Sequence, residues 1–477
     1  MKMKKYISII LILTLFVSCE NALNEEVFSQ MAPNNFFRIA EDAESSLIAA
    51  YAASQVIGDR RDYLLLGELN TDILIQRDGG LRREAQRIED FTWDATHPWF
   101  QNMWTRHYLM IYRANVVLDR VPSIIMNETR KAQILAEARF LRAFSYMYLL
   151  DYFGGVPLIL TSEVGLKERP SRASREQIIK FIEDEFKEIS GILPSVQDQY
   201  PRPTSHVVNG FLAKFYLNNY KWKEAADAAK KVMDSNLFGL YQSNDRTLLF
   251  AVENEKNKEF MYVRPNLPID GYSQNHLSHS APPRYKFKFP PKTKFAANYK
   301  ILTSFISTFE PQDQRLKGFI FEYVDMTNKV IKLGKDDARS FKYIEDPRGV
   351  GSASGNDVPL LRYADILLSR AEALNELNGP NQESINLINM VRDASKASSL
   401  TLSNYTTKDK LRDFILAERG REFHTEELRR QDLIRHKKFL SSAVQRGKTV
   451  FEHHLVYPIP QGEIDKNPNL AQTPGYN

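Results

Sequence analysis

Residues 207–233 read VVNGFLAKFYLNNYKWKEAADAAKKVM, and within them apolar side chains return twice at helical spacing. Val207, Phe211, Leu212, Phe215 and Tyr216 form one stripe, as the buried face of a helix requires. Asn218-Asn219-Tyr220 supplies a turn, and Ala225, Ala226, Ala229, Val232 and Met233 form the stripe of a second helix. Those alanines are small enough to let the first helix approach closely, so the segment predicts a helical hairpin. The pattern repeats downstream. Leu360, Leu361, Ala364, Leu367, Leu368, Ala371 and Leu374 form one stripe, Gly379-Pro380 breaks it, and Ile385, Leu387, Ile388 and Val391 form the next.

Two further pairs have the same periodicity, one joining helices near 42–54 and 104–118, the other joining 132–152 with 175–189. Such units resemble tetratricopeptide hairpins, each of which buries its face only against a neighbour. Between them the pattern fails. Pro265, Pro268, Pro282, Pro283, Pro290, Pro291, Gly271, Gly334 and Gly351 interrupt residues 241–357, and short alternating stretches such as Phe319 to Val324 read as strands. The expected fold is therefore mainly α. Four tetratricopeptide-like helical hairpins, in an N-terminal region 35–240 and a C-terminal region and tail 358–477, support an irregular, loop-rich second part.

The start of the chain has a different logic. Lys2, Lys4 and Lys5 precede an apolar run from Ile7 to Val17, which is too short to span a bilayer and reads as a signal peptide over 1–18. Ser18-Cys19 at its end resembles a bacterial lipobox, although Phe16 stands where Leu is usual. Cys19 is the only cysteine in 477 residues, so intramolecular disulfides are excluded and acylation of this residue is expected. Residues 19–34, with Glu20, Glu25 and Glu26, read as a lipidated tether. The net charge of +5 includes the three leader lysines, leaving about +2 on the rest with both signs interspersed, which is no nucleic-acid signature.

Four ordered segments resemble the SusD/RagB family of outer-membrane nutrient-binding lipoproteins. The first runs from Leu135-Ala136-Glu137-Ala138-Arg139-Phe140-Leu141-Arg142-Ala143-Phe144 to Gly154-Gly155-Val156-Pro157. The second is Pro359-Leu360-Leu361-Arg362-Tyr363-Ala364-Asp365, continuing through Arg370-Ala371-Glu372. The third is Arg421-Glu422-Phe423 with Arg430-Gln431-Asp432-Leu433, and the fourth Tyr457-Pro458-Ile459-Pro460 with Asn467-Pro468-Asn469-Leu470. The resemblance implies a lipid-anchored protein at the cell surface that captures an oligosaccharide and passes it to a SusC-like TonB-dependent transporter, without chemistry or cofactor. Peptide capture, as in RagB-like relatives, is the rival within the fold. A glycoside hydrolase would instead need two carboxylates about 5 to 9.5 Å apart in a cleft.

Most hallmark residues read as structural. Arg139 and Arg142 are expected to pair with carboxylates of neighbouring hairpins, and Glu418, Arg419, Arg421, Glu422, Asp432 and Arg435 to lock the last helix to the repeats. Residues 349–355, glycine-rich but preceded by Asp346-Pro347-Arg348, read as a flexible surface loop rather than a dinucleotide loop. His276 with His279, and His453 with His454, lack the three or four ligands at fixed offsets that zinc needs. No Gly-x-Ser-x-Gly elbow is present.

Candidate binding residues cluster between 70 and 104. An indole stacks on the C–H face of a sugar while amide, carboxylate and guanidinium groups bind its hydroxyls. Trp93 and Trp99, in a stretch broken by Asp94, His97 and Pro98, are expected on a loop with Asn70, Asp72 and Arg77 as polar partners, whereas Trp104 is expected in the core. In the family the ligand surface also draws on the middle insertion, which by resemblance adds Tyr272, Asn275, His276 and Tyr285.

Overall fold

The computed structural model describes residues 36–54, 63–76, 79–163, 168–289, 292–295 and 299–476. The expected signal peptide 1–18, the expected tether 19–34 with Cys19, and Arg77 lie outside the described residues. Eight helices form the array: α1 (Ala40–Ala53), α2 (Pro98–Arg120), α3 (Glu128–Phe153), α4 (Arg175–Ile189), α5 (Ser205–Asn218), α6 (Trp222–Asp234), α7 (Tyr363–Asn378) and α8 (Gln382–Ala394). Each packs on the next, and α6 packs directly on α7 although the whole insertion lies between them. The four hairpins thus form a continuous stack, although residues 241–357 separate the third from the fourth in sequence.

Local chemistry marks the helix ends. Asn127, Ser174, Thr204 and Asn381 each accept a backbone N–H of the first turn through their side-chain oxygen, a cap worth about 1 kcal/mol. Gly154 (φ 72°) and Gly379 (φ 75°) stop α3 and α7 in a backbone conformation other residues resist. Gly210 inside α5 has a packing reason, since a Cβ there would sit 2.6 Å from the Leu361 side chain.

The strands are short and strictly paired: β1 (Leu74–Ile75) with β3 (Lys300–Ile301), β2 (Phe260–Arg264) with β8 (Val358–Arg362), β4 (Phe319–Ile320) with β7 (Arg339–Ser340), and β5 (Glu322–Val324) with β6 (Val330–Lys332), all antiparallel. The alternating run 319–324 is extended as expected, but it splits at Phe321, where it changes partner. The glycine-rich segment differs from its expectation of a flexible surface loop. Gly349 and Gly355 are buried, the Gly355 amide donates to Asp346 at 2.8 Å, and Lys292 donates to the carbonyls of Asp346 and Gly349. Anchored turns of this kind look like free loops in sequence because the anchors come from elsewhere.

Charges join the insertion to the array. The signature segment supplies α9 (Lys408–Phe423) and α10 (Arg429–Arg435). Arg419 pairs with Asp365 of α7 at 2.7 Å and Asp432 at 2.9 Å, and Arg435 pairs with Glu372 of α7 at 2.6 Å, as the sequence suggests. The network reaches further than expected. Arg362 lies between Glu259 at 2.5 Å, Glu422 at 2.9 Å and Glu426 at 2.7 Å. Arg246 pairs with Glu259 at 2.8 Å, and Arg315 with Glu418 at 2.8 Å and Glu422 at 3.1 Å, while Lys342 reaches Glu426. Arg139 and Arg142 hold Glu185 at 2.8 and 3.0 Å, but Glu185 belongs to α4, the other arm of their own hairpin. The expected neighbouring hairpin contributes only Asn115, which accepts from Arg142 at 2.9 Å.

Arg362 is the counter-charge that three buried carboxylates share, so Arg362→Met leaves Glu259, Glu422 and Glu426 dependent on Arg246, Arg315 and Lys342. The loss is expected to cost about 3 kcal/mol in chemical denaturation, the low end for breaking a buried ion pair. The pH response has a definite sign. Burial alone would raise the Glu418 pKa, but Arg315, Arg421 and Arg392 outweigh it and hold the carboxyl at about 2. A depressed folded-state pKa means the stabilisation is complete above the ordinary value of 4.5 and is lost as pH falls towards 2. The thermal midpoint should therefore drop steeply as pH is lowered across that interval, as this contribution is lost.

Candidate functional site

Residues 79–92, GGLRREAQRIEDFT, build a concave polar surface. Gly79 turns with φ 80° and leads into a helix over Arg82–Glu89. Ala85 and Ile88 of that helix are buried, while Arg82, Arg83 and Gln86 face out, the division an amphipathic turn imposes. An open basin of about 530 Å³ lies against Gly79, Arg83, Gln86, Arg87, Asp90 and Thr92. A second hollow of about 230 Å³, lined by Gln76, Glu89 and Lys448, shares Arg82, Gln86 and Asp90 with it. Lys448 pairs with Asp90 at 2.5 Å and Arg87 with Asp94 at 2.6 Å. Slight burial opposes ionisation of Asp94, but the Thr96 donors and Arg87 hold its carboxyl below the usual range. The surface presents guanidinium, amide, ammonium and carboxylate groups to solvent together.

Beneath it is an aromatic bed rather than an aromatic platform. Trp93 is buried, donates through its indole N–H to the Tyr476 hydroxyl at 2.9 Å, and packs within 5.2 Å of the Tyr457 ring. Trp99 is buried on the first turn of α2 against His97. The expectation that these two tryptophans present their faces to a ligand is therefore overturned. Two of their expected polar partners are also committed to other side chains. Asn70 is buried and donates to the Tyr457 hydroxyl at 2.9 Å, and Asp72 accepts both arms of the Arg429 guanidinium at 2.7 Å. Trp104 is in the core as expected, against Tyr108 and Phe153.

The insertion residues divide. Tyr272 is 57% exposed, at a tight turn that also projects Leu267 and Ile269. Asn275 is half-buried at the start of the short helix His276–Ser280. His276 is buried and stacked on Tyr343, and Tyr285 is half-buried among Phe287, Tyr323 and Phe341, so neither offers a free face. Strand β3 of the insertion pairs with β1, placing the two regions side by side at Leu74 and Ile301. Among the described residues no group of three or more His, Cys, Asp or Glu is placed to hold a metal ion. Sequence reasoning missed Arg82, Arg83, Gln86, Asp90 and Lys448. The pairs 82/86 and 83/87 at one-turn spacing were the available signal.

Comparison with known proteins agrees with this architecture. The SusD family's sequence pattern matches residues 335–476, and that of the family described as "Starch-binding associating with outer membrane" matches residues 74–217. These two blocks support a SusD-like family protein. A SusD-like protein of Formosa agariphila is 28% identical, across 99% of this chain and 100% of its own length. The starch-binding protein SusD of Bacteroides thetaiotaomicron is 23% identical, across 83% of this chain and 82% of its own. Among solved structures, a SusD homologue from Bacteroides thetaiotaomicron superposes with a TM-score of 0.79 at 23% identity, covering 93% of this chain and 98% of that one. A laminarin-binding SusD-like protein does so with a TM-score of 0.78 at 22% identity, covering 92% and 100%.

In this SusD-like chain the two matched blocks hold most of the helical scaffold and the polar basin, whereas α1, α6 and the residues Tyr272, Asn275, His276 and Tyr285 fall outside them. The buried tryptophan bed gives a direct test. Trp93→Ala should cost about 3–5 kcal/mol, as core truncations of large aromatics do, and lower the melting temperature together with Trp99→Ala. A Trp93→Ala protein that melted normally but lost ligand would instead return the indole to the binding surface.

Proposed function

We propose that this protein is an oligosaccharide-binding lipoprotein of the cell surface, tethered to the outer membrane through acylated Cys19, that captures a glycan and hands it to a SusC-like TonB-dependent transporter. It acts by binding and release alone, with no cofactor. The observation that carries the reading is the open basin over Arg82–Glu89. Sugar hydroxyls need donors and acceptors in one place, and guanidinium, amide and carboxylate groups converge there on a rigid helix. The exposed Tyr272 ring offers an apolar face to a sugar. Relatives whose names record starch and laminarin binding support the same class of ligand. Of the two carboxylates lining the hollows, Glu89 is buried and accepts the Gln76 amide, and Asp90 is paired with Lys448. Neither is left for acid–base work.

Binding can be read by calorimetry on a chain starting after Cys19, against starch- and laminarin-type oligosaccharides, with peptides as the comparison. The Arg83→Ala, Gln86→Ala double variant should weaken glycan binding by about 2 kcal/mol, roughly thirtyfold, with the melting temperature unchanged. Glycan binding indifferent to both the double variant and Tyr272→Ala, or binding of peptides alone, would sink the proposal. Product analysis should show no cleavage. Cys19→Ala should abolish fatty-acid labelling of the full chain.

A further inference from the structure

A second cavity, of about 330 Å³, opens where the C-terminal ends of α3 and α5 meet α10 and the segment at Leu455 and Val456. It shares no residue with the basin, and its size is at the small end of ligand pockets, which run from about 300 to 1,000 Å³. Most of its polar lining is already engaged. Arg175 donates to Asn219 at 3.1 Å, Asn218 to Gln431 at 3.2 Å, and Gln431 to Asp151 at 2.9 Å. Arg435 is held by Glu372 and Asp432.

Lys214 is the exception. It lines the cavity, is 6% exposed, and makes no hydrogen bond or ion pair among the described residues. Burial lowers its pKa, with Arg419 acting in the same direction against Asp365, Asp432 and Asp151. Its stem is buried while its nitrogen keeps contact with the cavity, and an ammonium so poorly hydrated and unpaired gains from an anionic partner. Asp151 is the one acidic side chain lining the cavity, and it already accepts from Gln431, with Arg430 at 3.5 Å. Of the three cations lining the cavity, Arg435 is already matched by Glu372 and Asp432 and Arg175 donates to Asn219, so Lys214 is the one left to receive an anion, while Met147, Phe215 and Leu455 provide apolar wall.

We infer that this cavity is a binding site for a small organic carboxylate, whose anionic oxygens pair with the Lys214 ammonium. Such a group belongs equally to a uronic acid and to the C-terminus of a short peptide. The two sources are separated by titrating the mature chain with D-glucuronate against D-glucose, and with a leucine-containing dipeptide against its C-terminal amide. At least one acid should bind, with its neutral counterpart at least tenfold weaker, and whichever acid binds names the source. Lys214→Met should weaken the acid at least tenfold and melt at or above the wild-type temperature, because the unpartnered charge is gone. Asp151→Asn leaves Lys214 in place and removes the competing negative charge, so it should tighten the acid several-fold. The inference is overturned if neither acid binds the wild-type chain, if Lys214→Met binds as well as wild type, or if Asp151→Asn fails to tighten binding. Oligosaccharide capture by the basin should be the same in both variants, so failure of one site is distinguishable from failure of the other.

Discussion

A buried charge is tolerated only where its counter-charges are brought to it, and Arg362 is where this chain meets that condition most completely. It stands at the end of β8, immediately before α7, so its backbone links the strand that pairs with β2 of the insertion to the array. Its three carboxylate partners come from the residue preceding β2, from α9 and from the turn after α9. Met261, Tyr262, Ile301, Phe305, Phe309 and Phe319 of the insertion join the large core of the helices, and two smaller apolar clusters lie around Phe250, Phe260 and Tyr343 and around Leu277 and Phe341. Electrostatic pairing thus adds to apolar packing in joining the insertion to the hairpins. It also fixes which residues meet, because a misaligned strand would leave several ions unpaired at once.

The third of the signature segments also reaches the first region of the chain. Glu68, fully buried, accepts the amides of Thr425, Glu426 and Glu427 at 2.9 to 3.0 Å. Burial raises its pKa to about 7 even against those donors. Gly67 beside it leaves no room for a side chain, since a Cβ would stand 2.7 Å from the Glu427 carbonyl. The turn after α9 is therefore seated on the segment that leads to β1 and the basin. The rim of the proposed glycan surface is positioned by contacts between residues more than 350 positions apart.

The helical architecture was legible because its rule is local. Stripes at 207–216 and 225–233 specify two faces and a turn whatever else the chain does, and the structure places helices there. The basin was harder to read. Trp93, Trp99, Asn70 and Asp72 look like a sugar site by chemical type, and their neighbours Asp94 and Pro98 look like a loop. What decides their role is the arrival of Tyr457, Tyr476 and Arg429, and no spacing within residues 70–104 announces those partners. The polar residues left facing solvent were the less conspicuous arginines and Gln86 of the next helix. Lys214 is a similar case. In sequence it is an ordinary polar position on an amphipathic helix, and only the convergence of α3, α5 and α10 encloses it.

The bond from Trp93 to Tyr476 spans 383 positions, and that from Asn70 to Tyr457 spans 387. A ribosome or an export channel delivers the chain in order, so the bed of Phe91, Trp93 and Phe100 has no lid until nearly the whole chain has emerged. Closing so long a loop adds little entropy beyond closing a moderate one, because that cost grows only logarithmically with length. The delay is the greater burden. During it, several large aromatic rings stand uncovered, which is the condition under which nascent chains aggregate or recruit holding chaperones. The tail is thus the step that completes the first-made part of the molecule, and variants that slow its docking should reduce yield before they alter the melting temperature of what survives.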